Sequence, residues 1–233
     1  MQFLGLLMLV YELLYAHSQV YDNTKHHPKP LVCQWKQYFF AGQTFYLSHI
    51  YCSNVAAVKK NVMGLDLSLT STGVSVGGST QSIKSKNRGA KRLIEIRDEI
   101  VKIAKNEKVE IVAIEGYSYA SQYSQAHSIG ELGGVVKVAL KELGLPIVII
   151  PPTCRAKFAT GKGNSGKIEV MSAVAQKTGV MFTGTDGSDK CDAWILEQMT
   201  LTYLGLSEYE WRKEQMLGLD KCDFKEIEKD KND

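Results

Sequence analysis

One aspartate constrains this chain more than any other residue. The stretch from Asn61 to Gly77, NVMGLDLSLTSTGVSVG, reads as a strand, a tight polar turn and a second strand. Met63, Leu65 and Leu67 alternate with Gly64, Asp66 and Ser68, which is the period-2 pattern of a strand, and Val74 and Val76 resume it after the turn. Asp66 breaks the chemistry of that pattern. Aspartate is depleted in strands, and a buried carboxylate is costly unless it is paired or binds a metal. Two readings follow. Asp66 caps the turn at a strand end, or it is one ligand of a metal and requires other carboxylates to converge on it.

The rest of the chain supplies candidates. GAKRLIEIRDEIVKIAKNEK, from Gly89, places Leu93, Ile96, Ile100, Ile103 and Ala104 on one face of a helix with Lys and Glu opposite. VEIVAIEG, residues 109–116, is then an apolar, β-branched strand that ends in a second acid, Glu115. Strand, helix and strand in that order imply parallel pairing in one sheet. Sites in open α/β sheets favour the carboxyl ends of such strands. A Glu115 solvated in the turn is the plain alternative. The next helix starts near Gln125 and carries Ile129, Leu132, Val136, Leu140 and Leu143 on its packing face. Its glycines, Gly130, Gly133 and Gly134, each weaken a helix by roughly 1 kcal/mol relative to alanine, so they imply close approach of another backbone, from the sheet or from a second subunit.

LPIVIIPP, residues 145–152, is a short apolar strand stopped by prolines. Between residues 151 and 180 stand Arg155, Lys157, Lys162, Lys167 and Lys177 against Glu169 alone. That segment holds more excess positive charge than the whole chain, whose net charge is +3. GKGNSGK fits the first seven positions of a phosphate-binding P-loop, but Ile168 stands where Ser or Thr should hold magnesium, and no strand immediately precedes it. A basic, glycine-rich loop that touches the phosphates of a polymer fits better than a nucleotide site; a solvated loop is the plain alternative. Tyr117, Tyr119 and Tyr123 lie just beyond Glu115, placed either to stack on exposed bases or as surface tyrosines. Last, TDGSDKCDAWILEQMTLTYLG is a helix that Thr185, Asp186 or Ser188 can cap and that runs to about Leu204. Asp189 and Asp192, three apart, share a face, and Ile195, Leu196 and Met199 continue the face of Asp192. An acid on an apolar stripe asks for a partner.

These pieces, from about Val58 to Gly205, resemble the RuvC-type Holliday junction resolvases, especially short phage-encoded members. The residues that carry the resemblance are GLDLSLTSTG, the strand ending AIEG, the helix SIGELGGVV, the loop TGKGNSGK and the helix start SDKCDAW. The resemblance implies an α/β, ribonuclease H-like fold, with a mixed five-stranded sheet flanked by helices. It implies a homodimeric, metal-dependent endonuclease that cuts four-way or related branched DNA and leaves 5′ phosphates. Asp66, Glu115, Asp189 and Asp192 are then the catalytic metal ligands, for Mg²⁺ with Mn²⁺ as a substitute. Lys162 and Lys167 lie near the phosphate backbone, and Arg155, Lys157, Tyr117 and Tyr119 join the DNA contacts. In one place the chain departs from the family. Bacterial members carry a phenylalanine three residues after the strand glutamate, and here that position is Ser118. Two rival functions remain: a catalytically silent module that binds branched DNA, and an ATPase of the actin and sugar-kinase type, which needs a second phosphate loop and a second domain.

Composition bounds the rest. The chain is 44% hydrophobic and 23% charged over 233 residues, ordinary for a globular protein. Its five cysteines, Cys33, Cys52, Cys154, Cys191 and Cys222, form no CxxC pair, which argues against a zinc site or a disulfide framework and suits a reducing cytoplasm, bacterial or of a phage-infected host. Residues 1–57 differ sharply. They hold four of the five histidines, no arginine and a crowd of aromatics. MQFLGLLMLVYELLY is too short for a membrane span and lacks a basic leader region. No helical or strand period is sustained through Ala57. The expectation is an extension, non-native or disordered, ahead of a nuclease domain at 58–206, with translation starting at Val58 or Met63; the alternative is a real N-terminal extension that packs on the domain. A charged tail, read as a short fraying surface helix, occupies 207–233. Neither a membrane partner nor a nucleotide cofactor is expected.

Overall fold

The computed structural model describes residues 33–40, 43–50, 60–117 and 123–228. The chain divides into two units, Met1–Ala56 and Ala57–Asp233. In the first, β1 (Cys33–Phe40) and β2 (Gln43–Ile50) form an antiparallel hairpin in which Phe40 pairs with Gln43. The sequence predicts no sustained strand period here, and the hairpin corrects that expectation.

The second unit is built on a five-stranded sheet. Its strands are β3 (Val62–Asp66), β4 (Thr72–Val76), β5 (Ser79–Ile83), β6 (Ile111–Glu115) and β7 (Ile147–Ile150), in the order β5-β4-β3-β6-β7. Pairs β3/β4 and β4/β5 are antiparallel, whereas β3/β6 and β6/β7 are parallel. The sheet is therefore mixed, and helices cover both of its faces, as the ribonuclease H-like expectation requires.

Period-2 alternation assigns the faces. Met63 and Leu65 of β3, with Val112 and Ile114 of β6, point to α1 (Gly89–Asn106) and α2 (Tyr123–Glu142). On α1 the predicted stripe is the buried one: Ile96, Ile100, Ile103 and Ala104. On α2, Leu132, Val136 and Leu140 are fully buried. Val62, Ile111 and Ala113 point the other way. There they meet α3 (Pro152–Thr160), α4 (Lys167–Thr178) and α5 (Gly187–Tyr203), including Trp194, Ile195 and Met199. By the same alternation Asp66 and Glu115 face the α5 side.

Helix α5 lies almost on the backbone of the sheet. A Cβ on Gly64 would stand 2.0 Å from the carbonyl oxygen of Ala193, and one on Gly73 would stand 2.1 Å from that of Asp189. Real Cβ atoms do not approach so closely, so these two glycines set the helix-to-sheet distance. A third tie is polar. Ser75 Oγ donates to the buried carboxylate of Glu197, and the backbone N–H of Gly78 donates to it at 3.0 Å. The acid on α5 is thus satisfied rather than stranded.

One sequence expectation holds here and one changes. The basic segment after β7 holds two helices, α3 and α4, and the glycine-rich stretch GKGNSGK supplies the short loop between them. The charged tail is packed rather than frayed. It carries α6 (Lys213–Met216) and α7 (Lys225–Glu228), buries Phe224 and Ile227, and stacks Phe224 on Tyr203 at 3.8 Å between ring centroids. Trp211 packs on Phe158 in a tilted arrangement, with 4.2 Å between ring centroids.

Candidate metal centre

The parallel register of β3 and β6 pairs Leu65 with Ile114. The residues that follow, Asp66 and Glu115, therefore emerge side by side at the carboxyl ends of adjacent strands and on one face. The close seating of α5 over Gly64 and Gly73 brings a third acid, Asp192, down to them. One carboxylate oxygen from each of Asp66, Glu115 and Asp192 can be chosen so that all three lie within 4.8 Å of one another. Among the described residues they are the one such cluster of potential metal ligands.

Asp189, the fourth predicted ligand, does not join that triad. It lines the same cleft one turn earlier on α5, accepts a hydrogen bond from Ser188 Oγ at 3.1 Å, and stands 3.9 Å from Lys167 Nζ. The cleft measures about 320 Å³. Leu67, Ser68, Gly116, Tyr117, Ile129, Pro152, Arg155 and Lys167 complete its wall.

The electrostatics follow from crowding and burial. Burial, and then the neighbouring charges of Glu115 and Asp192, hold the Asp66 carboxyl well above the usual carboxylate range. Asp192 is pushed up to about 6, first by burial; Arg155 opposes the shift and Glu115 adds to it. Such carboxylates crave a cation, and hard oxygen donors converging on one point are the donor set of a divalent ion such as Mg²⁺ or Mn²⁺. The residues present fit a metal of that kind.

A cation of another kind already stands there. Arg155, on α3, donates from Nε to Glu115 Oε1 at 2.7 Å and from Nη1 to Asp192 Oδ1. Its side chain is only 13% exposed. Arg155 is expected among the DNA contacts, and the structure turns it inward onto two of the acids. Its charge was legible in the sequence, but its direction was not. A signal for its helix was present: Pro151 takes the extended N-cap conformation and Pro152 the first helical position, the place proline favours.

The other predicted contacts scatter. Lys167 opens α4 at the cleft, 70% exposed. Lys162 is exposed on the loop between α3 and α4, outside the cleft wall, and its backbone N–H is tied to Thr160 Oγ1 at 3.0 Å. Lys157 is half-buried on α3. Tyr117 lines the cleft and lies under Lys137, whose Nζ is 5.3 Å from the ring centre. A Cβ on Gly133 would collide with the Tyr117 hydroxyl, so that glycine of α2 gives room to the tyrosine. Ser118 and Tyr119 lie outside the described residues. The GKGNSGK loop follows helix α3 rather than a strand, unlike a P-loop.

A ribonuclease H-like α/β domain with a carboxylate cluster at the ends of its central parallel strands is the class that fold and site define. Comparison with known proteins narrows it. No family model matches the chain. An 81-residue stretch, 35% of this chain, is 32% identical to the crossover junction endodeoxyribonuclease RuvC of Sorangium cellulosum and covers 45% of it. An 85-residue stretch is 29% identical to RuvC of Koribacter versatilis, covering 36% of this chain and 51% of that protein. The matches span about half the length of these curated relatives. Among solved structures, Thermus thermophilus RuvC in complex with a Holliday junction substrate superposes with a TM-score of 0.54 at 22% identity. That likeness covers 65% of this chain and all of that one. A second Thermus thermophilus RuvC structure gives 0.52 at 22% identity, covering 64% and 99%. The chain is thus similar to the RuvC-type resolvases in sequence and shares their fold.

Proposed function

We propose that this protein is a metal-dependent, structure-selective DNA endonuclease that cuts four-way junctions or related branched DNA and leaves 5′-phosphate ends. The observation that carries the reading is the convergence of Asp66, Glu115 and Asp192 at the strand ends, in a cleft whose rim holds Lys167. The sequence relatives and the fold support it. Asp66, Glu115 and Asp192 would hold the divalent metal, with Asp189 beside them, and we favour Mg²⁺ with Mn²⁺ as a substitute. Bound there, the metal supplies an activated water and neutralises charge that develops on the phosphate. The protein's own residues do the rest. The acids would keep the phosphate backbone away until a divalent metal is present. Lys167 and the exposed Lys162 would attract it, Tyr117 lines the cleft, and Lys157 and Tyr119 are proposed as further DNA contacts. A homodimer would present two such sites to two strands. Gly130, Gly134 and Val138, spaced four apart on α2 with open space beside both glycines and Val138 60% exposed, support a subunit contact on that face. No described helix is long and apolar enough to cross a membrane; the cytoplasmic location is proposed from the DNA substrate alone.

A catalytically silent junction-binding module is the second reading, and Arg155 favours it, because a guanidinium already compensates two of the acids. One gel assay separates the two. Four-way, three-way and linear duplex DNA are incubated with the protein in Mg²⁺ or Mn²⁺. Paired incisions in the four-way junction, and few in linear duplex, are expected. Tight junction binding with no incision in either metal would establish the silent module instead.

A further inference from the structure

We propose that Arg155 is a resident counter-ion of the carboxylate cluster and competes with the divalent metal, so that the centre loads only when its guanidinium leaves. The inference rests on the metal-dependent reading above and concerns how that site is filled. Two of the three acids that can share a metal, Glu115 and Asp192, are the two that Arg155 grips, through Nε and Nη1 separately. They belong to different elements, β6 and α5, so the fork of one side chain bridges them and holds the cluster together without a metal. The pairing is internal: Arg155, Glu115 and Asp192 side chains are 13%, 14% and 7% exposed. Lys167, by contrast, is 70% exposed and 3.9 Å from its acid, a loose surface pair of little consequence.

A metal ion and the guanidinium want the same oxygens, and a divalent cation placed among them would stand against a like charge. Lysine could yield by losing its proton. Arginine cannot, so Arg155 gives way only by rotating out of the cluster. It already lines the cleft that Lys167 also lines, and a displaced guanidinium would therefore remain beside the position proposed for the phosphate backbone, where it can donate a fork to phosphate oxygens. Metal entry and DNA engagement are in that way linked through one side chain, each favouring the other.

Mn²⁺ binding to the full chain tests this, with free Mn²⁺ followed by electron paramagnetic resonance at about pH 8 and without DNA. The variants are Arg155→Gln, Arg155→Lys and Asp192→Asn. Arg155→Gln should bind Mn²⁺ about tenfold more tightly than the wild type, since a charge-assisted hydrogen-bonded competitor is gone. It should also melt at a lower temperature in EDTA and recover with Mn²⁺. Arg155→Lys, which keeps charge but not the fork, should fall between the two, and it carries the test if the glutamine variant does not fold. A merely structural arginine would lower the melting temperature without tightening the metal. If the wild type binds Mn²⁺ in an Asp192-dependent manner and the Arg155 variants bind it no more tightly, the competition is refuted while the nuclease reading stands. If no variant and no wild type binds Mn²⁺, the metal centre itself is refuted and this inference with it.

Discussion

Replacing Asp192 with asparagine should stabilise the metal-free protein, although Asp192 is buried and forms an ion pair. The two features pull in opposite directions, and the size of each decides the sign. Burial raises the Asp192 carboxyl from an ordinary 3.8 to about 6 even with Arg155 pulling it down. The proton-bound form is therefore favoured in the fold. A group with a raised folded value makes stability fall as pH climbs between its unfolded and folded values, here from about 4 to about 6, and the loss is complete above that. The gap corresponds to roughly 3 kcal/mol near pH 8. Asparagine keeps the shape and one acceptor for Arg155 but not the charge, and its amide is an imperfect substitute for a carboxylic acid, so about 1–3 kcal/mol of relief is expected. In a domain of this size that is roughly 2–10 °C in melting temperature. Differential scanning calorimetry in EDTA across pH 4 to 8 reads it directly. The variant should melt higher than the wild type near pH 8 and lose part of the slope between pH 4 and 6, Asp66 supplying what slope remains, since its value is raised for the same reasons. In Mn²⁺ the order should reverse, because only the wild type gains stability from a bound cation, and cleavage by the variant should fall by orders of magnitude. A variant that melts lower than the wild type in EDTA near pH 8 would refute the reasoning: the Arg155 pair would then outweigh burial, and Asp192 would be a structural residue.

Gly64→Ala should destabilise the domain by about 3 kcal/mol or more, the upper end for an overpacked core, because its Cβ would press on the backbone of α5; a melting curve checks it, and an unchanged midpoint would mean that the helix can lift off the sheet. Lys162→Ala with Lys167→Ala should weaken junction binding and flatten its dependence on salt by about two phosphate contacts, measured by fluorescence anisotropy in Ca²⁺ over a salt series. Removal of residues 1–57 should leave cleavage and the melting temperature of the domain unchanged, consistent with the unit boundary at Ala56; loss of folding on truncation would show that the domain needs the first unit to fold.

What the sequence made legible is what alternation and helical spacing encode. Period-2 patterning placed acids at the ends of two strands, and the stripe on α1 and the three-residue spacing of Asp189 and Asp192 on α5 both hold in the structure. Spacing alone could not say which of Asp189 and Asp192 would reach the strand ends. That depends on how low α5 rides over the sheet, and the controlling residues are glycines. Gly64 and Gly73 lie on adjacent strands, on the face that Asp66 shares, and two small residues there are a readable sign of a close helix. The tail also announced itself: Trp211, Phe224 and Ile227 are the residues a packed segment needs, and the surrounding charges obscured them. The hairpin had its own signal, aromatic runs on either side of the dipeptide Ala41-Gly42.

Arg155 is the case where the sequence carries the charge but not its use. Five basic residues between 151 and 180 suggest a surface for phosphates, and composition treats them alike. Tertiary structure does not. Two prolines start α3 immediately after β7, the parallel register sets β7 beside β6, and Gly116 N–H is bonded to Ile150 carbonyl oxygen at 2.8 Å. The end of β7 is thereby held against the end of β6, and a side chain in the first turn of α3 is delivered to the carboxylate that ends β6. Arg155 occupies that position, whereas Lys162 and Lys167 lie beyond the helix and remain exposed. The same connection that makes a parallel sheet thus sorts one cation inward and leaves the others for solvent or a polyanion. A basic residue within the first turn after such a strand should be considered a partner for the neighbouring strand's terminal acid before it is assigned to the nucleic acid.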